Sequence, residues 1–372
     1  MLQRSRLMLA LATVSVSAVA LVAPASAVSP RAHTPGLEFL GEATIAAGAV
    51  FEGTVVGGLS SITYDAARDV YYAISDDQGP GFTATSTPAR FYTLDIDVSD
   101  GSLDPGDVTV LAVTTLLRPD GTPFPALSLD PEGLTLTSAG TLIVTSEGLA
   151  NAGIAPWVRE FDLSGRQLDE LPVPDYYAPS GGTRGVRHNL GFEAAAVSPN
   201  GRFLFVGAEN ALAQDGPAAT VTTGSPTRLL RYNLRHDRLD REYVYPTGPV
   251  VDPSPIFTVN GLVELLPLSN NFLLALERSF SVGAGNTIRI YRVALPGATN
   301  VAGLDDLDDA RRLRPVDKTL LLDLDELGLT LDNLEGMTLG PRLPDGRQSL
   351  ILVSDNNFTP GQPSQLLLFA IG

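Results

Sequence analysis

The sequence predicts an all-β chain folded as a single β-propeller of five four-stranded blades. Three observations lead there. A pair of short apolar strands, the second ending in an acid, occurs five times, and the copies are evenly spaced. The fifth copy lacks a fourth strand, which an otherwise unassigned N-terminal segment can supply. Repetition of one four-strand unit with the first strand completing the last unit describes a closed ring with short, protected edges. A two-sheet sandwich would need no such repeat.

Arg4 and Arg6 precede an apolar run from Leu7 to Ala23, and Ala25-Ser26-Ala27 supplies a small-residue cleavage site. This is the pattern of an export leader, residues 1–27; the competing reading is a retained anchor, because the run is close to bilayer length. Residues 28–36 then form a linker and 37–372 the propeller. No later segment is long and apolar enough to cross a membrane, so the expected destination is the periplasm, the cell surface or the medium.

The repeats follow in order. Gly58-Leu-Ser-Ser-Ile-Thr-Tyr pairs with Val70-Tyr-Tyr-Ala-Ile-Ser-Asp76, and Asp130-Pro-Glu-Gly-Leu-Thr-Leu with Thr141-Leu-Ile-Val-Thr-Ser-Glu147. Gly191-Phe-Glu-Ala-Ala-Ala-Val precedes Phe203-Leu-Phe-Val-Gly-Ala-Glu209, Gly261-Leu-Val-Glu-Leu-Leu precedes Phe272-Leu-Leu-Ala-Leu-Glu277, and Leu334-Glu-Gly-Met-Thr-Leu precedes Ser349-Leu-Ile-Leu-Val-Ser-Asp355. The closing acids fall at 76, 147, 209, 277 and 355. A third strand with an arginine near its start follows in four units, at Arg90, Arg159, Arg228 and Arg289, and Gln365 to Ile371 fills that place in the fifth. Fourth strands are expected from Asp107, Gln167, Glu242 and Lys318. Leu37 to Ile45 is the candidate for the missing edge. Gly303 to Arg314, rich in Asp and Arg, reads as a short surface helix.

Composition narrows the chemistry. The formal charge is −17, and −19 once Arg4 and Arg6 leave with the leader. Such a surface repels nucleic acid and anionic lipid. With no cysteine, neither disulfides nor thiolate chemistry are available. The three histidines, His33, His188 and His236, are scattered, with no His-Glu-x-x-His, and there is no Gly-x-Ser-x-Gly elbow and no phosphate loop.

In a blade, the start of strand one, the end of strand two and the start of strand three share a face. The recurring polar residues sit there: Glu132, Glu147 and Arg159; Glu193, Glu209 and Arg228; Glu264, Glu277 and Arg289; Glu335 and Asp355; and, in the first unit, Ser60 or Ser61, Asp76 and Arg90. One mouth of the channel is thus expected to carry carboxylates alternating with guanidinium groups. Each arginine either staples strands through a bidentate pair, or the carboxylates hold a hard cation such as Ca²⁺. Asp76, Glu132, Glu147, Glu209, Glu335 and Asp355 are the candidate metal ligands. Asymmetry marks Arg184-Gly-Val-Arg187-His188-Asn189-Leu-Gly-Phe-Glu193, where Arg184 and Arg187 could draw an anionic substrate while Glu193 and His188 move protons. The alternative is a surface loop whose His188 bonds only locally.

Asp130-Pro-Glu-Gly-Leu, Asn189-Leu-Gly-Phe-Glu193, Asn333-Leu-Glu-Gly336 and Val353-Ser-Asp-Asn-Asn-Phe358 resemble the phytase-like family described as having esterase-like activity, with agreement from about Gly58 to Phe369. The resemblance implies hydrolysis of phosphate or other esters, by analogy with propeller phytases that use several Ca²⁺ ions to bind a polyanionic substrate and activate water. Those propellers show six shorter blades, so six is the alternative count. A chain of charge −19 acting on a phosphate ester must depend on a divalent cation, which alone inverts the local potential. The expected partner is a small ester substrate, with lactonase-like chemistry a variant. In the non-catalytic alternative it is a carbohydrate or protein bound by a propeller with structural ions. A monomer is expected.

Overall fold

The computed structural model describes residues 36–79 and 87–372; the expected leader 1–27, His33 and nearly all of the linker lie outside them. Strand β1 (Leu37–Ile45) comes first, then a small hairpin of β2 (Val50–Phe51) and β3 (Thr54–Val55). Blade one is β4 (Leu59–Asp65), β5 (Val70–Ser75), β6 (Arg90–Ile96) and β7 (Val108–Thr115). Blade two is β8 (Pro131–Leu136), β9 (Leu142–Ser146), β10 (Trp157–Phe161) and β11 (Gln167–Leu171). Blade three is β12 (Phe192–Val197), β13 (Phe203–Ala208), β14 (Pro226–Asn233) and β15 (Arg238–Pro246). Blade four is β16 (Thr258–Pro267), β17 (Phe272–Ser281), β18 (Gly285–Ala294) and β19 (Asp317–Asp323). Blade five is β20 (Asn333–Arg342), β21 (Gln348–Asp355) and β22 (Ser364–Ile371), completed by β1, which runs antiparallel to β22 from Leu37 opposite Ile371 to Ile45 opposite Ser364. The count is therefore five, and the six-blade alternative is excluded.

Strand alternation builds the core between blades. In β21, Ile351 and Val353 pack toward blade one, whereas Leu350 and Leu352 pack toward blade four. Five such apolar clusters fill the five gaps between neighbouring blades. Each buried Leu or Ile is worth about 1.5–3 kcal/mol relative to exposure. These gaps, together with the β1–β22 ladder, hold a ring that has no disulfide to close it.

The expected helix at 303–314 is replaced by irregular chain with one three-residue helical turn, Leu307–Asp309. Its backbone is claimed from below. Arg228 Nη1 donates to the Leu304 carbonyl at 2.9 Å and Leu307 N donates to Asp215 Oδ1 at 3.1 Å, so these groups are not free to build a helical ladder.

Candidate metal centre

A β-bulge near the start of each first strand decides which side chains meet on the axis. The residue two places before each bulge meets the ring-position residue of strand two: Gly58 with Asp76, Asp130 with Glu147, Gly191 with Glu209, Gly261 with Arg278 and Asn333 with Asp355. Ser60, Glu132, Glu193, Val263 and Glu335 occupy the bulges, and bulged residues are re-aimed out of the ladder. Glu132, Glu193 and Glu335 consequently line the channel mouth. Two glycines give the acids room. A Cβ on Gly191 would lie 2.8 Å from the Cβ of Glu147, and one on Gly261 would lie 2.4 Å from Glu209 Oε1.

One layer deeper, the residues that follow the bulge are Ser61, Gly133, Ala194, Glu264 and Gly336. Four are small, and the fifth fills the axis. Glu264 Oε2 accepts from Ser61 Oγ at 2.5 Å and Oε1 from Leu265 N at 2.9 Å, with the backbone amides of Met337 and Ala195 also directed at the carboxyl. Burial pushes its pKa well above the usual carboxylate range despite these bonds. Glu264 is thus the floor beneath the ring, whereas the sequence pattern placed it in the ring.

Above that floor, Asp76, Asp130, Glu132 and Glu147 come from blades one and two, and Glu193, Glu209, Glu335 and Asp355 from blades three and five; Asp76 is half-buried and the other seven are buried. Among the described residues there, Arg278 alone adds positive charge. Seven of the eight carboxyls, Glu147 excepted, line a cavity of about 690 Å³ together with Arg278, Gln78 and Asn333. Removal from water dominates their electrostatics. Burial holds Asp130 and Glu209 near 7 and, with the neighbouring Glu335, Asp355 near 8. Asp76, Glu132, Glu147 and Glu193 are pushed well above the usual range by burial first and then by the charges of surrounding acids, among them Asp355 on Asp76, Asp130 on Glu132 and Glu147, and Glu132 on Glu193. Without a cation this cluster holds protons at neutral pH.

The donor set fits a hard cation. Glu132, Glu147 and Glu193 each present an oxygen within 4.8 Å of the others. The two oxygens of Glu147 are buried with only another acid, the carboxyl of Glu193, as hydrogen-bonding neighbour, and Asp76 Oδ1 and Glu209 Oε1 are likewise buried without a donor. Leaving such oxygens unpaired costs about 1–3 kcal/mol each or more. An oxygen-rich ligand set of this charge is what Ca²⁺ selects.

The alternation of acids with guanidinium groups is corrected. Third strands lie one step further from the axis, and their arginines pair within or outside their own blades. Arg90 binds Asp77 at 2.8 Å, Arg159 binds Glu170 at 3.0 Å, Arg228 binds Asp215 at 2.5 Å, and Arg289 binds Asp323 at 2.8 Å. Glu277 also leaves the ring. It pairs opposite Leu262, and its carboxylate accepts from Tyr245 Oη at 2.7 Å, from Gly248 N at 2.9 Å and from Lys318. Its neighbour Arg278 holds the ring position, with Nη2 donating to Glu335 Oε1 at 2.9 Å while Nε stays buried without a partner.

His188 is exposed at the rim of the cavity that Glu193 lines. Arg184 and Arg187 stand beside it around a second cavity of about 230 Å³. Arg184 is engaged by Asp305, and Arg187 donates to the carbonyls of Ala211 and Gly216 at 3.2 and 2.6 Å. Asp130 and Arg278 are the additions to the sequence reading. Asp130 sat in view within the Asp-Pro-Glu-Gly motif; Arg278 was hidden by the acid before it.

A family model described as phytase-like, "Esterase-like activity of phytase", matches residues 54–358. The chain belongs to this family. The phytase-like chain is also 24% identical over 201 residues to an uncharacterized secreted protein of Arthroderma benhamiae, a match covering 45% of this chain and 38% of that relative's length. Among solved structures, the phytase-like propeller is similar to the endo-arabinase of Bacteroides thetaiotaomicron, 13% identical, over 90% of this chain and 98% of that one, with a TM-score of 0.47. The periplasmic gluconolactonase of Pseudomonas aeruginosa is 12% identical over 90% and 99% of the two chains, with a TM-score of 0.37. A protein of unknown function from Dyadobacter fermentans is 13% identical over 91% and 100%, with a TM-score of 0.42.

Proposed function

We propose that this chain is an exported hydrolase of phosphate or carboxylic esters that works with a divalent cation, Ca²⁺, at the acidic mouth of its channel. The carrying observation is the cluster of acids around one cavity, with Glu147 offering two buried oxygens whose hydrogen-bonding neighbour is another acid, Glu193. Export is supported by the leader pattern of residues 1–27 and by the secreted relative.

Glu132 and Glu147 would hold the cation, with Asp76, Glu209, Glu335 and Asp355 completing the negative field around it. When bound, such a cation attracts ester oxygens and makes nearby water more acidic. Glu193 borders both groups of residues. It neighbours Glu132 and Glu147 yet lines the open cavity, which supports its taking a proton from the attacking water. His188 at the rim is placed to pass that proton to solvent. Arg278, with its buried and unpaired Nε, is the cationic donor to a substrate oxygen. Arg187 ties the 211–216 segment to the loop that carries His188 and so positions it.

The second reading is a binding propeller with structural ions. It is favoured by one observation: Glu147 lies behind the cavity lining, where an ion would brace blades instead of meeting substrate. The test is hydrolysis of p-nitrophenyl phosphate, p-nitrophenyl acetate and phytate by chelated protein with and without added Ca²⁺. Turnover that requires Ca²⁺ and is lost in Glu193→Gln supports the hydrolase. Absence of turnover on every ester, with thermal stabilisation by Ca²⁺ intact, leaves the ions structural.

A further inference from the structure

Blade four departs from the other four. Strands β5, β9 and β13 stop one residue before the ring position and β21 stops at it, but β17 runs three residues past Arg278 before turning at 282–284 into β18. Its sheet therefore stands above the acids as a wall. Val259, Phe280 and Asn286 are cross-strand neighbours in one row of that wall. Arg278 lies two residues before Phe280, so it faces the same side about 7 Å below. Phe257 carries the wall to the rim, its ring centroid 6.4 Å from that of Phe280. All five residues line the cavity of the acid ring.

Two features of the wall are open to a ligand. Phe257 is 55% exposed at the mouth of the cavity, and the adjacent Ile256 is 76% exposed. Asn286 Oδ1 is buried and accepts no hydrogen bond. Solvent-facing aromatic surface beside a polar centre matches the usual make-up of a small-molecule site, apolar walls with a few placed polar groups, and the cavity has the size of one. Above Arg278, the described residues of the wall offer no further cation to a polyphosphorylated substrate.

Resting on the hydrolase reading above, we propose that the substrate is an ester with an aryl or alkyl group as one part, which packs on the Phe257–Phe280 wall while the ester meets the acid ring. Asn286 takes a hydroxyl or N–H of that group. Covering a phenyl ring in this way is worth about a factor of ten or more in affinity.

The test is calorimetric binding of benzylphosphonate and methylphosphonate to the intact protein in saturating Ca²⁺, with p-nitrophenyl ester turnover from acetate to octanoate measured alongside. Wild type is expected to bind the benzyl compound at least tenfold more tightly. Phe280→Ala, checked for an unchanged melting temperature, is expected to remove most of that preference and leave methylphosphonate unaffected; Phe257→Ala does the same more weakly. Equal affinities, a preference that survives both substitutions, or no binding of either phosphonate overturns the proposal. A retained benzyl preference with no turnover of any ester overturns the hydrolase reading and leaves the apolar subsite standing.

Discussion

Arg278 Nη2 donates to Glu335 Oε1 at 2.9 Å and approaches Glu209 Oε1 at 3.6 Å, so one side chain of blade four joins blades three and five across the channel mouth. Among the described residues of the ring it is the one guanidinium set against eight carboxyls. Its removal leaves those acids facing each other with less compensation.

Breaking a buried pair by deleting one partner costs about 3–5 kcal/mol. Arg278 is 11% exposed, so Arg278→Ala is expected near the lower end, measured by urea unfolding in chelator. Added Ca²⁺ should restore part of the loss, because it supplies the missing positive charge. Unchanged stability under chelation would contradict this role.

The register of blade four makes a sharper comparison. Glu147 follows its strand with two buried oxygens that have only the acid Glu193 as hydrogen-bonding neighbour, whereas Glu277 is spent on Tyr245, Gly248 and Lys318. Glu147→Gln should weaken stabilisation by Ca²⁺ at least tenfold in midpoint concentration. Glu277→Gln should lower the melting temperature itself and leave the Ca²⁺-dependent increment intact. Thermal scans over a Ca²⁺ series distinguish the two, and equal loss of the increment would refute the assigned register.

This pair also shows where the sequence stops being legible. Five blades and the closing strand β1 are readable because alternating apolar runs, turn residues and a spacing of one unit repeat with little ambiguity. The identity of an axial residue depends on a one-residue bulge, and a slip of one residue turns a side chain to the other face. In four units the acid happens to stand at the ring position; in the fourth unit Glu264 and Glu277 are each offset by one, deeper or sideways. The third-strand arginines repeat just as faithfully, but their distance from the axis is a property of the sheet order and not of the repeat. The long β17 was readable only as Arg278-Ser-Phe280 continuing an apolar strand past its acid.

pH dependence follows from the raised carboxyls. Their folded pKa values lie above the unfolded values of about 4, so the folded state holds extra protons. The stability these groups contribute is complete below that unfolded pKa and is lost as pH rises through about 7 for Asp130 and Glu209 and about 8 for Asp355. In chelator, the melting temperature should therefore fall between about pH 5 and pH 8. With saturating Ca²⁺ the fall should vanish. A melting temperature that rises over this window in chelator would show that burial does not govern the ring.

Glu264 offers a control on the floor of the channel. Ser61 and the surrounding amides donate to its two oxygens, and the amide of Gln would set donors against donors. Glu264→Gln is expected to cost about 2–4 kcal/mol in urea unfolding. The Ca²⁺ midpoint should not move. A shifted midpoint with unchanged stability would place Glu264 among the cation ligands.

The most direct measurement is calorimetric titration of Ca²⁺ into the chelated protein at pH 7, in two buffers of different ionisation enthalpy. Binding is expected with net proton release, since protonated carboxyls must ionise to ligate, and the isotherm is expected to weaken strongly in Glu147→Gln. Absence of binding up to about 10 mM, beyond the range of weak extracellular calcium modules, or binding without proton release, would contradict this.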